Sequence, residues 1–254
     1  MSKPRALIIR APGTNCDLEV AYALELAGAA PALLHINEVV AGTAPVEQFS
    51  ILVLPGGFSY GDDLGAGKLM ANELEQRLRD QLLQFLNRSG VILGICNGFQ
   101  VLVKAGLLPL PFGGQRISLL PNASGRFECR WVHLEIAAGN PCIFTQGMST
   151  LDLAVAHGEG RLYVPEGVRR EVIPVLRYTT HDGSEPNYPA DPNGSFDHIA
   201  GVCDSSGRIL GLMPHPERFV RAIQQPQWGR SARNGGPGDG LKFFTNAVEY
   251  ARGV

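Results

Sequence analysis

Val91-Ile92-Leu93-Gly94-Ile95-Cys96-Asn97-Gly98-Phe99-Gln100 is the stretch that decides the fold of this chain. Val91 to Ile95 is a short apolar run of strand length, and beyond it Phe99, Val101, Leu102 and Leu107 take up helical spacing. Cys96 therefore stands at a strand-to-helix corner, where a side chain is presented rather than packed away. Gly94 and Gly98 let the backbone bend sharply and approach a substrate, and the start of the helix offers free N–H groups and partial positive charge. Both effects favour a thiolate and can hold a developing oxyanion. Taken alone, a small buried cysteine is the competing reading.

Upstream, Arg5 to Ile9 has the pattern of a buried strand, followed by a Pro12-Gly13-Thr14-Asn15 turn and a helix from about Asp17 to Ala29. Pro31 to Ile36 reads as a second strand, and Phe49 to Leu54 as a third after a turn or short helix begun at Pro45. This β-α-β-β order predicts a parallel sheet. The loop Pro55 to Asp63 leads into a helix in which Leu74, Leu78, Leu82 and Phe85 keep helical spacing, with Asn72-x-x-Glu75 in the pattern of a capping box.

Downstream the texture changes. Phe127 to Ile136, Leu151 to His157, Val172 to Tyr178, Ile199 to Cys203 and Ile209 to Met213 are short strand-like runs separated by turn residues. Gly183 to Gly194 is a long turn-rich loop, and Gln224 to Gly240 is a second breaker-rich stretch before a closing helix from about Leu241 to Ala251. Loops this long inside a compact domain are usually functional or mobile. No repeat or linker divides the chain. The expectation is one α/β domain over residues 1–254, an open, mostly parallel sheet flanked by helices, with an antiparallel annex.

The formal charge is −2 over 254 residues, with both signs mixed along the chain, so nucleic acid and anionic membrane are not expected partners. No apolar run approaches the ~20 residues of a membrane span, and Met1-Ser2-Lys3-Pro4 lacks a signal-peptide core. A cytoplasmic protein is expected. Five cysteines, scattered and without a Cys-x-x-Cys, argue against a disulfide framework and a zinc knuckle.

A cysteine nucleophile needs a base, and the base an orienting group. His215 lies in Leu212-Met213-Pro214-His215-Pro216-Glu217-Arg218, directly after a predicted strand, stiffened by proline on each side. In an extended segment the i, i+2 spacing lets Glu217 reach the outer imidazole nitrogen. His157, in His157-Gly158-Glu159-Gly160, is the second histidine candidate, whereas His35, His133, His181 and His198 read as surface or strand residues. The Gly56-Gly57 turn ends the third strand, and strand ends of an open α/β sheet line one crevice. Backbone N–H groups of Gly57 and Asn97 are thereby candidates for an oxyanion hole facing Cys96.

Nucleotide chemistry finds no support. Gly61-Asp-Asp-Leu-Gly-Ala-Gly67-Lys68-Leu69 is one residue too long for a phosphate loop, and Leu69 replaces the metal-binding hydroxyl. Gly65-Ala-Gly67 lacks the third glycine of a dinucleotide fingerprint.

Gly-Ile-Cys96-Asn-Gly-x-Gln100, Gly56-Gly-Phe-Ser-Tyr-Gly-Asp62, His157-Gly-Glu-Gly160, Tyr188-Pro-Ala-x-Pro-Asn-Gly194 and Met213-Pro-His-Pro-Glu-Arg218 together carry a family likeness over nearly the whole chain. They resemble the class I, triad glutamine amidotransferases, and among these the glutaminase components of phosphoribosylformylglycinamidine synthase. The resemblance implies a flavodoxin-like sheet, with Cys96 as nucleophile, His215 as base and then acid, and Glu217 as orienting carboxylate. It implies oxyanion donors at Gly57 and Asn97, and glutamine contacts at Phe58, Gln100 and His157. No cofactor and no metal are implied for this chain. Ammonia from glutamine is expected to pass to a separate synthetase subunit, which holds ATP and magnesium and converts formylglycinamide ribonucleotide to formylglycinamidine ribonucleotide. The resemblance leaves open which form of synthetase the chain docks to and whether a small third subunit joins the complex.

Gln224 to Gly240 departs from the pattern, looking more like the end of the amidotransferase domain in fused, single-chain synthases. The expectation is that it covers the active site or touches the partner. Two rival readings of the corner remain. A cysteine hydrolase or peptidase would act on esters or peptides, and a non-catalytic binding protein would show neither activity.

Overall fold

The computed structural model describes residues 2–230 and 235–254. In chain order it forms β1 (Arg5–Arg10), α1 (Asp17–Ala27), β2 (Ala30–His35), α2 (Ile36–Val40), β3 (Ile51–Leu54), α3 (Lys68–Arg77), α4 (Arg79–Asn87), β4 (Val91–Ile95) and α5 (Asn97–Lys104). The second half adds β5 (Ser118–Pro121), β6 (Glu128–Ile136), β7 (Thr150–His157), β8 (Glu159–Tyr163), β9 (Ile173–Thr179), β10 (Ile199–Cys203), β11 (Ile209–Leu212) and α6 (Leu241–Gly253).

Unbroken apolar runs place β3 and β4 in the centre, where every residue is buried and helices cover both faces. The main sheet has nine strands in the order β2-β1-β3-β4-β11-β10-β9-β6-β7. From β2 to β11 neighbouring strands run parallel, and from β11 to β7 they run antiparallel. The antiparallel annex is thus continuous with the parallel half. In β7 burial alternates residue by residue, the mark of a strand covered on one face. A separate antiparallel pair joins β5 to β8.

Helix α1 stops at Gly28, whose φ of 92° is left-handed and whose N–H closes the last turn. Helix α6 buries Phe243, Phe244, Ala247 and Val248, and Asn246 Nδ2 ties it to the carbonyls of Phe144 and Gln146 at 2.8 and 3.0 Å. Among the described residues no helix is long and apolar enough to cross a membrane.

Three local features differ from the sequence reading. The helix expected around Leu74 to Phe85 is two helices, broken at Leu78, whose φ and ψ are −117° and 1°. Helix α3 also begins earlier, at Lys68, so Asn72 lies inside it and does not cap it. Gly67 sets that start: a Cβ there would sit 2.9 Å from Val101 Cγ2, so α3 approaches α5 too closely for any side chain. The short elements α2, β5 and β8 carry too few residues for a periodic signal.

In the Gln224–Gly240 stretch, residues 231–234 lie outside the described residues. Its described end pairs back on the chain just after Glu217: Gly238 donates to Val220 O at 3.0 Å and Gly240 to Phe219 O at 2.8 Å.

Candidate active site

Cys96 occupies the corner between β4 and α5 with φ 51° and ψ −104°, a strained conformation for a residue with a side chain. Its N–H donates to Leu212 O at 2.8 Å, extending the parallel β4–β11 ladder past its register pair Ile95–Leu212. The flanking glycines are obligatory. A Cβ on Gly98 would lie 1.9 Å from Leu54 O, and one on Gly94 would lie 2.7 Å from Gly98 O. The thiol approaches Ala156 O at 3.6 Å, and the residue is only 5% exposed.

Because β4 and β11 are adjacent and parallel, the loop after β11 emerges beside Cys96. His215 lies on that loop, with its backbone N–H held by Ala154 O at 2.8 Å. Its Nδ1 is 2.6 Å from Glu217 Oε1, with both side chains almost fully buried. Its other nitrogen, Nε2, is buried without a hydrogen-bond partner among the described residues. Burial opposes charge on this imidazole, but the Glu217 carboxylate, and after it Cys96, outweigh burial and hold the imidazolium well above the usual histidine range. The Glu217 carboxylate and the Cys96 thiol thus both act on the His215 imidazole.

A second thiol, Cys16, was not singled out by sequence. It is buried 4.0 Å from His215 Nδ1 and 3.2 Å from Arg218 Nη2. That is the side of the ring already bonded to Glu217, so Cys16 does not face the unpartnered nitrogen. Its one sequence signal was its position in the loop after β1, whose carboxyl end opens toward the same crevice.

Gly57, Phe58, Cys96, Gln100, His157 and Glu159 line one cleft of about 180 Å³. Asn97 is the first residue of α5, where helix geometry leaves its N–H without an intrahelical acceptor, and Gly57 turns beside it with φ 142°. The Asn97 side chain accepts from Ser59 N–H at 3.1 Å and donates to Asp62 Oδ1 at 3.1 Å and to Gln100 Oε1 at 3.0 Å. Gln100 in turn donates to Glu159 O at 2.6 Å, so it fastens the wall of the cleft. Phe58 stands half-exposed at the mouth. Burial, reinforced by Glu159 and opposed by the Gly67 N–H, raises the Asp62 carboxyl above its ordinary range.

His157 is buried, with Nδ1 3.0 Å from Asn122 Oδ1. That oxygen also accepts from Gly160 N–H at 3.1 Å, while Asn122 Nδ2 donates to the carbonyls of Arg126 and His157. Nδ1 therefore carries the proton, and Nε2, buried without a partner among the described residues, is an acceptor. Burial, aided by the positive His215, pushes this histidine down to about 4. The remaining histidines lie elsewhere: His35 caps α2, His198 sits between Asp191 and Glu185, and His133 stacks on His181. The Tyr188–Gly194 loop lines a different cleft, of about 460 Å³, that holds no thiol.

An open sheet with a strained thiol, an imidazole and a carboxylate gathered at its strand ends has the build of a glutamine amidotransferase. The CobB/CobQ-like glutamine amidotransferase domain family matches residues 3–251. Phosphoribosylformylglycinamidine synthase subunit PurQ of Dehalococcoides mccartyi is 52% identical over the whole of both chains. The subunit of the same name from Methanococcus maripaludis is 42% identical, with 97% of each chain covered. A solved structure described as PurLQS from Thermotoga maritima superposes with a TM-score of 0.75 at 35% identity, covering 98% of this chain and 99% of that one. A glutamine amidotransferase from Thermotoga maritima, 20% identical with a TM-score of 0.52 over 91% and 82% of the two chains, shares the fold. The chain belongs to the PurQ family of glutamine amidotransferases.

Proposed function

We propose that this chain hydrolyses glutamine to glutamate and ammonia, and that a synthetase subunit uses the ammonia to convert formylglycinamide ribonucleotide to formylglycinamidine ribonucleotide with ATP in purine biosynthesis. Supporting this reading are the 52% identity to a PurQ subunit over full length and the resemblance to PurLQS. The synthetase, with its ATP and magnesium, and a small third subunit are the partners. A cytoplasmic location and a single domain over residues 1–254 belong to the same reading.

One observation carries the mechanism: His215 binds Glu217 through Nδ1 at 2.6 Å and leaves Nε2 without a partner among the described residues, beside the strained Cys96. In this reading His215 Nε2 already holds the proton drawn from the thiol, as an imidazolium beside a thiolate, and the Cys96 sulfur attacks the side-chain amide carbon of glutamine. Gly57 and Asn97 donate their N–H groups to the oxyanion. His215 then returns the proton to the departing nitrogen, which leaves as ammonia, and the γ-glutamyl thioester remains on Cys96. Water, deprotonated by His215, attacks the thioester carbon; glutamate leaves and the thiol is restored. Phe58, Gln100 and His157 shape the glutamine pocket.

The test is glutamate release from glutamine by the purified chain, with and without its synthetase and substrates. Cys96-dependent release that rises in the complex is expected. Absence of glutamate from the complete complex would overturn the reading, and turnover of esters or peptides would favour a hydrolase.

A further inference from the structure

Strands β6 and β7 pair so that His133 stands opposite Asp152, and β9 places Thr179 beside His133 on its other flank. Side chains alternate along an extended chain, so His181, two residues beyond Thr179, reaches the same face. The outcome is a cluster remote in sequence from the triad. His133 Nδ1 lies 2.7 Å from Asp152 Oδ1, and His181 Nε2 lies 3.9 Å from the same oxygen. The two imidazole rings stack with centroids 3.9 Å apart. One nitrogen of each ring and one oxygen of the carboxylate fall within 4.8 Å of one another.

The carboxylate is held from behind. Gln225 Nε2 donates to Asp152 Oδ2 at 3.3 Å, and the Asp152 backbone N–H donates to Asp239 Oδ2 at 3.1 Å. Both supports come from the Gln224–Gly240 stretch. Orientation of a ligating carboxylate by a donor to its other oxygen is what a metal site requires around its ligands.

We propose that His133, Asp152 and His181 form a binding site for a divalent transition ion of the zinc type. Two imidazole nitrogens and one carboxylate oxygen are ligands suited to Zn²⁺, Co²⁺ or Ni²⁺, whereas Ca²⁺ and Mg²⁺ take shells of oxygen. Atoms spaced as these are can all reach one ion at about 2.0–2.2 Å with small rotations. The ion replaces the proton shared between His133 and Asp152, and that proton leaves to solvent. His181, three-quarters exposed, closes onto the ion as the third ligand, and water completes the shell. The site bridges β6, β7 and β9 to the Gln224–Gly240 stretch, and so fastens that stretch to the sheet.

The experiment titrates the full chain with Zn²⁺ by calorimetry and with Co²⁺ by visible absorption, comparing His181→Ala and His133→Ala. His181 is exposed in the turn after β9, so its substitution leaves the fold intact. One ion per chain is expected, with cobalt bands that lack a sulfur charge-transfer component. Each variant should weaken binding at least about tenfold. A parent chain that binds no ion in molar excess, or a His181→Ala chain that keeps the parent's affinity, overturns the proposal. So does a sulfur-to-cobalt band abolished by Cys16→Ser, which would put the ion at Cys16, His215 and Glu217.

Discussion

The backbone N–H of His215 donates to the carbonyl of Ala154 at 2.8 Å, in an antiparallel bridge outside the named strands. Two residues further along β7, the carbonyl of Ala156 receives the Cys96 thiol at 3.6 Å. One strand therefore holds both the His215 backbone and the Cys96 thiol. It is also the last strand of the nine, so the annex curls over the carboxyl ends of the parallel half and walls the cleft.

The two buried thiols near His215 should separate cleanly. Cys96→Ala is expected to lower glutamate formation by about 10⁴-fold or more, whereas Cys16→Ser should stay within about tenfold of the parent. Steady-state glutamate release decides between them. Loss of activity in Cys16→Ser with retention in Cys96→Ala would reverse the assignment.

Glu217→Gln keeps the shape of the carboxylate but removes its charge. We expect kcat to fall by about 10²–10⁴-fold, in line with the effect of the same change in other triads. Because Glu217 is the chief influence holding the imidazolium up against burial, His215 should also titrate at lower pH in the variant. NMR of labelled histidine reads that shift, and an unmoved midpoint would mean that the carboxylate does not govern the ring.

Asn97→Ala removes one acceptor and two donor contacts at once, leaving Ser59 N–H, Asp62 and Gln100 short of a partner. A stability loss of about 1–3 kcal/mol is expected, with a raised KM for glutamine as the Gly57 loop and the Gln100 wall loosen. Chemical denaturation and glutamine saturation curves measure the two effects. Unchanged KM would detach this network from the substrate.

His157 makes a prediction about acid stability. Its folded value of about 4 lies below the 6.5 of an unfolded chain, so between these values the unfolded state binds the extra proton. Stability from this group is unaffected above pH 6.5, falls as pH drops toward 4, and by then has lost roughly 3 kcal/mol. In His157→Gln the decline of melting temperature over that window should be shallower than in the parent. Parallel curves would contradict it.

Much of this was legible in the chain because each feature has a local cause. The strand-to-helix corner follows from an apolar run, two glycines and a change of period, and His215-x-Glu217 follows from extended geometry between prolines. The partners that position them are not local. Asn122 beneath His157, Ala154 behind His215 and Cys16 beside it meet the site only through strand order, which no window of sequence contains. The break at Leu78 escaped because Leu74, Leu78, Leu82 and Phe85 keep helical spacing straight across it. Phe58 and Gln100, which the family likeness sets along bound glutamine, line the cleft, and there both Gln100 amide atoms are already engaged by protein.

The β4–β11 pairing joins segments about 120 residues apart in the chain. Contacts of such long range close late, after local helices and hairpins have formed. On the ribosome, Cys96 emerges about 120 residues before His215 and Glu217, so the thiol is made long before the imidazole and carboxylate that adjoin it. The three side chains meet only when β11 takes its place between β4 and β10, and completion of the sheet is also assembly of the site.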